Sequence, residues 1–242
     1  MTSAVPFPVP PDQTERDRAI VLVHGAWVGE WCWDPMLPLL RGSGRRVVAV
    51  SLTGHGSRRH EAGPWVTLTT HVDDVVGVLE RHDLTGVTLV GHSYGGRVVS
   101  QVAARVPDRL RATVFVDAHA PNGPDPGVPP AWVELADSNG GMVPFTGYRL
   151  DPDDLGGEDG VAWFVARLAP LSLACFREPW QVDLPPNVRK VYVYATANEP
   201  SRFEGYARAC RDDPSWTYHE IAGPHFVMIS HAEELASIVL DA

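Results

Sequence analysis

Short apolar runs and amphipathic stretches alternate along this chain. The runs are rich in Val, Tyr and Thr and cover residues 19–23, 46–51, 87–90, 112–116, 190–195 and 216–221. The stretches with helical periodicity cover residues 33–41, 69–81, 94–106, 201–211 and 229–240. Alternating strands and helices predict an α/β fold, a parallel sheet with helices on both faces. In such folds the active groups lie at the carboxyl ends of the strands.

The alternation breaks across residues 121–186, which we call the insertion. It opens with a Pro/Gly-rich lead, continues through acidic loops, and carries apolar-aromatic pieces around Trp132 and over residues 161–180. Structureless loops of this length are uncommon in compact domains, so the insertion is predicted to form a lid whose aromatic side chains line a pocket. The alternative for Trp163 and Phe164 is that they only bury the lid against the body.

The predicted organisation is therefore a single core with one excursion. Residues 1–18 form a disordered N-terminal arm, residues 19–120 and 187–242 form the core, and residues 121–186 form the lid. Residues 2–18 lack the basic and then apolar order of a signal peptide, and no apolar run reaches the length of a membrane span. These features predict a cytoplasmic protein.

The net charge of the chain limits the classes of partner that it can bind. The 242 residues carry a formal net charge of −10, and the basic residues are scattered. Nucleic acids and anionic membranes both require clustered Lys and Arg, so neither is expected as a partner.

Three cysteines, Cys32, Cys175 and Cys210, lie far apart without the spacing of a zinc site. They are predicted to be reduced and buried, and no metal is expected.

Residues 87–96 carry the strongest chemical signal. An apolar run leads into the sequence Gly-His-Ser-Tyr-Gly and then into a helical pattern. This order predicts a nucleophile elbow that holds Ser93 in a strained turn, with Gly91 and Gly95 small enough for strand and helix to approach. The N–H of Tyr94 is then free at a helix N-terminus to bind an oxyanion. The alternative is that Ser93 only caps the helix.

Two further segments supply partners for Ser93. Residues 21–27 read Val-Leu-Val-His-Gly-Ala-Trp, and an early strand that ends in this way can present the N–H of Ala26 beside the N–H of Tyr94. His225 lies in the loop between the last apolar run and the final helix, where the chain order Ser, acid, His places the general base.

The chain resembles the α/β-hydrolase superfamily, and within it the branch of methylesterases and hydroxynitrile lyases with its bacterial relatives. The resemblance rests on residues 22–27, 30–33, 52–56, 89–96 and 223–225. It implies the α/β-hydrolase fold, a mostly parallel central sheet with a small lid inserted after the sixth-strand position. It also implies a cofactor-free Ser-His-acid site in which Ala26 and Tyr94 bind the oxyanion.

Two departures from this branch bear on the reaction. Its cyanide-releasing lyases have threonine in the place of Gly25 and lysine in the place of Phe226, so lyase activity is disfavoured. The favoured function is a serine hydrolase that cleaves a small-molecule ester or lactone through an acyl-enzyme. Trp27, Trp132, Trp163 and Phe226 are the predicted substrate-binding residues.

Two other functions stay open at this point. One is a biosynthetic enzyme that uses the same triad for cyclisation, dehydration or C–C cleavage. The other is a receptor without catalytic activity, which would have no need to keep a nucleophile and a base together. Neither the natural substrate nor the oligomeric state follows from the sequence.

The acid of the triad has more than one candidate in the sequence. The usual place, after residues 191–197, holds Asn198, whose amide carries no charge to stabilise an imidazolium. Asp117 ends the preceding apolar run at the same carboxyl edge and is the predicted acid. Glu199 is the rival, and an Asx-turn or a hinge is the alternative role for Asp117.

Overall fold

The structure is a computed structural model that describes residues 19–125, 127–146, 148–198 and 201–242. The predicted N-terminal arm and Glu199 lie outside the described residues. Within these residues, no helix combines the length and the apolar character needed to span a membrane.

The described chain contains strands, α-helices and short 3-10 turns. The strands are β1 (Ile20–Val23), β2 (Val47–Val50), β3 (Val87–His92), β4 (Leu110–Val116), β5 (Met142–Val143), β6 (Leu171–Ser172), β7 (Arg189–Ala195) and β8 (Trp216–Ile221). The α-helices are α1 (Leu37–Gly42), α2 (Leu68–Arg81), α3 (Gly95–Arg105), α4 (Pro130–Ser138), α5 (Pro152–Leu155), α6 (Glu158–Val165), α7 (Glu204–Asp212), α8 (Val227–Ser230) and α9 (Ala232–Asp241). The 3-10 turns are Glu30–Trp33, Gly56–Glu61, Pro107–Arg109 and Leu173–Phe176.

Each of the six predicted apolar runs is a strand of one sheet, in the order β2-β1-β3-β4-β7-β8. Every pairing within this sheet of the described chain is parallel. The predicted α/β-hydrolase fold is confirmed. β1 lies between β2 and β3, so the chain crosses from β1 to β2 on one side and then returns past β1 to β3 on the other. This reversal leaves a crevice at the carboxyl ends of β1 and β3.

Two of the predicted helices are interrupted. The stretch 33–41 starts at the last residue of the 3-10 turn Glu30–Trp33, and α1 begins only at Leu37 and carries a proline in its first turn. Proline has no N–H to donate, so it is accepted in a first turn but not in a helix interior. The stretch 229–240 breaks at His231, whose backbone is non-helical with φ −124° and ψ 41°, and α8 and α9 lie on either side.

The core lies on both faces of the sheet. Alternate strand residues point to opposite faces, so Val21 and Val23 pack with α2 and α3, whereas Ile20 and Leu22 pack with α1 and α9. Strands covered on both faces are apolar throughout, and all four residues of β1 are fully buried. Side chains from both faces therefore hold β1 and β3 in place under the site.

The insertion leaves the sheet after β4 and returns at β7. It contains α4, α5, α6 and an antiparallel pair, β5 and β6, in which Met142 lies opposite Ser172. Trp27, just beyond β1, connects it to the core: its indole Nε1 donates to the Val143 carbonyl at 2.9 Å, and its own carbonyl accepts from the Ala169 N–H at 2.8 Å. The insertion thus lies against the carboxyl end of β1.

Two glycines allow β3 and α3 to approach closely. A Cβ on Gly91 would lie 2.6 Å from Val99 Cγ2 and 2.7 Å from the Gly95 carbonyl oxygen. A Cβ on Gly95 would lie 2.8 Å from the carbonyl oxygens of Val23 and His24. A Cβ atom essentially never makes contacts this short, so any side chain here would push strand and helix apart.

We expect Gly91→Ala to lower the free energy of unfolding by about 1–3 kcal/mol, because the added methyl group overpacks the junction of β3 and α3. Gly77→Ala is the matched control: a Cβ there, inside α2, meets nothing within 4 Å. Alanine is the better helix former, so this control should gain about 0.5–1 kcal/mol. Urea unfolding followed by circular dichroism measures both changes, and equal effects would contradict the steric argument.

Candidate active site

Ser93 lies in the turn between β3 and α3, at the carboxyl edge of the sheet. Its φ is 55°, a left-handed backbone conformation that residues other than glycine rarely adopt. Its N–H donates to the Val116 carbonyl at 3.2 Å. The residue is 5% exposed and lines a cavity of about 460 Å³. The structure therefore presents the Ser93 side chain at the end of β3, as the elbow motif predicts.

Ala26 and Tyr94 line the same cavity as Ser93. Neither backbone N–H donates a hydrogen bond to any other group in the described part of the chain. Gly25 makes this approach possible, since a Cβ there would lie 2.8 Å from His92 Nδ1 and 2.9 Å from Ser93 Cβ. Two unused donors thus lie beside the Ser93 side chain, the arrangement that an oxyanion requires.

His225 and Asp117 form a buried pair. His225 Nδ1 lies 2.6 Å from Asp117 Oδ2, and the two side chains are 4% and 0% exposed. Asp117 follows β4 directly with a φ of 40°, and its N–H donates to the Val193 carbonyl at 2.7 Å. The structure therefore brings the predicted base to the predicted acid at the edge of the sheet that also carries Ser93.

Asn198 takes part in this pair. Its side-chain Nδ2 donates to Asp117 Oδ2 at 2.8 Å, so the amide at the usual acid position supports the carboxylate on the neighbouring strand. The other oxygen, Asp117 Oδ1, has no hydrogen-bond partner among the described residues. Glu199, the rival acid, lies outside them, and its exclusion stays a prediction.

Burial and charge act on both members of the pair. Burial lowers the pKa of His225, and the positive charge of Arg202 lowers it further. Burial raises the pKa of Asp117, whereas the hydrogen bond from Asn198 acts in the opposite direction. The His225 imidazole is therefore neutral near pH 7, the form that accepts a proton at Nε2 when Nδ1–H donates to Asp117.

Two aromatic rings lie parallel to the His225 imidazole. Tyr148, from the insertion, has its ring centroid 4.4 Å away at an interplanar angle of 4°, and Phe203 lies 5.1 Å away, also at 4°. Between Ser93 and His225 themselves, the described residues show no hydrogen bond, and in sites without substrate this contact is often long.

Neither Tyr148 nor Phe203 is predicted from the sequence. Tyr148 lies in an irregular segment without a motif, and Phe203 lies in a predicted helix but precedes the observed one, α7. Of the four predicted substrate-binding residues, Trp27 and Trp132 do line the Ser93 cavity, with ring centroids 5.3 Å apart. The aromatic residues of the insertion therefore predicted the place of Trp132 in the cavity but not that of Tyr148.

The other two predicted substrate-binding residues lie elsewhere. The prediction for Trp163 is wrong: this residue is 37% exposed, and its ring centroid lies 5.1 Å from that of Trp31. Its neighbour Phe164 is the residue of α6 that points inward. Phe226 packs against Phe164 at 4.9 Å and borders a separate opening on the far side of His225.

The described residues contain no group of three or more His, Cys, Asp or Glu side chains that could hold a metal ion. The three cysteines are buried and none of them forms a disulfide, as predicted. The groups gathered around Ser93 are those of acyl transfer: a hydroxyl nucleophile, an imidazole, a carboxylate and two backbone N–H donors.

The sequence pattern of the Alpha/beta hydrolase family matches residues 20–238. The chain belongs to this family. The match spans both parts of the core and the insertion, and it agrees with the resemblance drawn from the motifs.

The most similar relatives include several proteins with esterase names. A carbendazim hydrolyzing esterase from Nocardioides sp. (strain SG-4G) is 35% identical over 89% of this chain and 96% of its own length. Methyl jasmonate esterase 1 from Vitis vinifera is 32% identical over 57% of this chain and 52% of its own length. Among solved structures, an extracellular α/β-hydrolase from a Paenibacillus species has a TM-score of 0.74, at 23% identity, over 93% of this chain and 98% of that one.

Asp117→Asn should lower kcat by about 10³- to 10⁴-fold, because the amide cannot hold the imidazole in the required tautomer. Asn198→Asp in that background should restore part of the activity, since residue 198 already contacts residue 117. Glu199→Gln serves as the control and should be nearly normal in steady-state ester hydrolysis. A crippled Glu199→Gln beside an Asp117→Asn that works within a few-fold of wild type would move the acid to Glu199.

The pH dependence of kcat/KM should reflect the lowered pKa of His225. The neutral imidazole is the active base, so activity should persist below pH 6.5, about the midpoint of a free histidine, and fall only in more acidic solution. Arg202→Gln should move the midpoint upward, because it removes a positive charge that disfavours the imidazolium. Arg208→Gln, which removes the same charge from an exposed position on α7, should leave it in place. A wild-type midpoint above 6.5 would contradict the burial argument.

Proposed function

We propose that this protein is a cofactor-independent serine hydrolase that cleaves small-molecule carboxylic esters or lactones through an acyl-enzyme. The observation that carries the proposal is the strained Ser93 turn with two unused N–H donors, set at the same edge as the buried His225–Asp117 pair. The esterase named among the relatives, which aligns over nearly its whole length, supports the same reaction class.

Acylation begins when Ser93 Oγ attacks the carbonyl carbon of the ester and its proton passes to His225 Nε2. The carbonyl oxygen becomes negatively charged and accepts hydrogen bonds from the N–H groups of Ala26 and Tyr94. As the C–O bond to the leaving group breaks, the imidazolium returns the proton to the departing alcohol. The acyl group then remains as an ester on Ser93.

Deacylation repeats these steps with water. His225 takes a proton from the attacking water molecule, the tetrahedral intermediate forms at the same two N–H donors, and the bond to Ser93 Oγ breaks as the oxygen regains a proton. Asp117 holds the Nδ1–H of the imidazole throughout and stabilises its positive charge, and Asn198 holds Asp117 in turn.

The insertion serves in this proposal as a lid. Trp132 and Tyr148 from the insertion join Trp27 from the core around the Ser93 cavity, which suits a compact substrate with apolar parts. Tyr148 also covers one face of the His225 imidazole, so the insertion lies directly over the proposed base. Closure of the aromatic wall would exclude water other than the molecule used in deacylation.

Ser93→Ala should lower kcat for a short-chain p-nitrophenyl ester by about 10⁴- to 10⁶-fold without loss of folding, and should abolish labelling by a fluorophosphonate probe. Ser100→Ala, which removes a buried hydroxyl from α3, the helix that follows Ser93, is the matched control and should keep both properties. More than a tenth of wild-type activity in Ser93→Ala would remove Ser93 from the mechanism.

The same assay on the wild-type protein distinguishes a hydrolase from the two other candidate functions. Labelling together with ester turnover is the result expected of a hydrolase. Labelling without turnover of any ester or lactone would overturn hydrolysis in favour of another triad-driven reaction, and a protein that neither labels nor turns over would be a receptor.

A further inference from the structure

Arg97 is a buried cation in the wall of the Ser93 cavity. It is the third residue of α3, one helical turn beyond Ser93, and only 1% of its side chain is exposed. Its guanidinium lies over the rings of Phe176 and Trp180, with the central carbon 4.7 and 4.8 Å from their centroids. The proposed reaction gives this charge no role.

The hydrogen-bonding capacity of Arg97 is unused. A guanidinium offers five N–H donors, yet no side-chain hydrogen bond from Arg97 is present among the described residues, and Nε is fully buried without a partner. The nearest carboxylate is that of Asp125, whose Oδ1 lies 3.7 Å from Nη2 on a side chain that is 42% exposed. Burial lowers the pKa of Arg97, which reflects the cost of holding a charge in this place.

Packing against aromatic rings does not by itself account for Arg97. Cation–π contacts form above the ring faces and stabilise the charge, but they leave the N–H groups at the edge of the guanidinium plane without acceptors. An apolar side chain of similar length would pack between the same rings without that cost. The unused donors therefore point to an acceptor that arrives with a ligand.

A second unused polar group borders the same cavity. The Tyr206 hydroxyl is buried and has no partner within the described ranges, and both Tyr206 and Arg97 line the cavity that holds Ser93. Arg202 lines it too, whereas no Asp or Glu of the described chain does so. In a protein of net charge −10, this wall carries two arginines, of which Arg97 is ion-paired with the half-exposed Asp125 outside the cavity lining.

We propose that Arg97 and the Tyr206 hydroxyl form a carboxylate-binding subsite, so that the preferred substrates are esters that carry a second, free carboxylate. A guanidinium fork and a hydroxyl match the two oxygens of a carboxylate better than any neutral group. The inference rests on the proposed ester hydrolysis at Ser93 and names the class of substrate. Hydrolysis of such a monoester breaks the acyl C–O bond and one O–H bond of water, and it releases an alcohol, a dicarboxylate and one proton.

The test compares two methyl esters of equal length by their release of methanol. One is monomethyl adipate, and the other carries a neutral amide in place of its free carboxylate. The wild-type protein should prefer the carboxylate ester in kcat/KM. Arg97→Met keeps the apolar length between the two rings and removes the donors. It should lower kcat/KM for monomethyl adipate about 10- to 150-fold, mainly through a higher KM, the range expected for a hydrogen bond to a charged group. Turnover of the monoamide should stay within about three-fold.

Three further variants separate recognition from packing. Arg97→Lys keeps the charge and should retain part of the preference, and Tyr206→Phe should reduce it, so both remain informative if Arg97→Met fails to fold. Arg105→Met removes an exposed arginine from the same helix and should change neither ester. An equal loss for both esters in Arg97→Met, or an unchanged ratio in all three subsite variants, would show that Arg97 only packs.

Binding of adipate to the Ser93→Ala protein, measured by calorimetry, needs no turnover. Binding of adipate to Ser93→Ala that is lost in Ser93→Ala/Arg97→Met supports the subsite. This holds even if the wild-type protein hydrolyses no ester, in which case only the proposed function fails. Esters that are hydrolysed without charge preference, by a protein that does not bind adipate, would leave the proposed function intact and overturn the subsite.

Discussion

The close approach of β1, β3 and α3 is the constraint on which the site depends. Side chains are excluded at Gly25, Gly91 and Gly95 because the neighbouring backbone or Ser93 itself already fills the space. Only with these contacts can the end of β1 bring the Ala26 N–H next to Ser93, and only then does α3 begin immediately at the nucleophile. The same helix start that leaves the Tyr94 N–H unused also carries Arg97 into the cavity wall one turn later.

Backbone strain is concentrated at the same edge. Four residues other than glycine have a positive φ in the described chain, and three of them, Trp27, Ser93 and Asp117, follow β1, β3 and β4 in turn. Each of these conformations costs about 1–3 kcal/mol and persists only where surrounding packing enforces it. The buried strands supply that packing, so the sheet holds the anchor of the insertion, the nucleophile and the acid in conformations that the local sequence disfavours.

Much of this arrangement could be predicted because its signals are local. Apolar runs identify the strands, and the spacing of glycines around Ser93 identifies the elbow. Contacts between distant segments left weaker traces. Asn198 looked like an empty acid position, although its amide supports Asp117 on the next strand. In the insertion, Trp163 was conspicuous but faces outward, whereas Tyr148 reaches His225 from an irregular loop, and no periodicity in the sequence indicates which of the two turns inward.

The insertion also influences the chemistry of the base. Tyr148 and Phe203, whose rings lie parallel to the imidazole, contribute to the burial that lowers the pKa of His225. Tyr148 belongs to the insertion, so the insertion covers one face of the base. The burial that keeps His225 neutral also makes it a weaker base, because a lowered pKa disfavours the protonated form. Asp117 at Nδ1 opposes this effect when the imidazole takes up a proton, so the insertion and the acid act on the base in opposite directions.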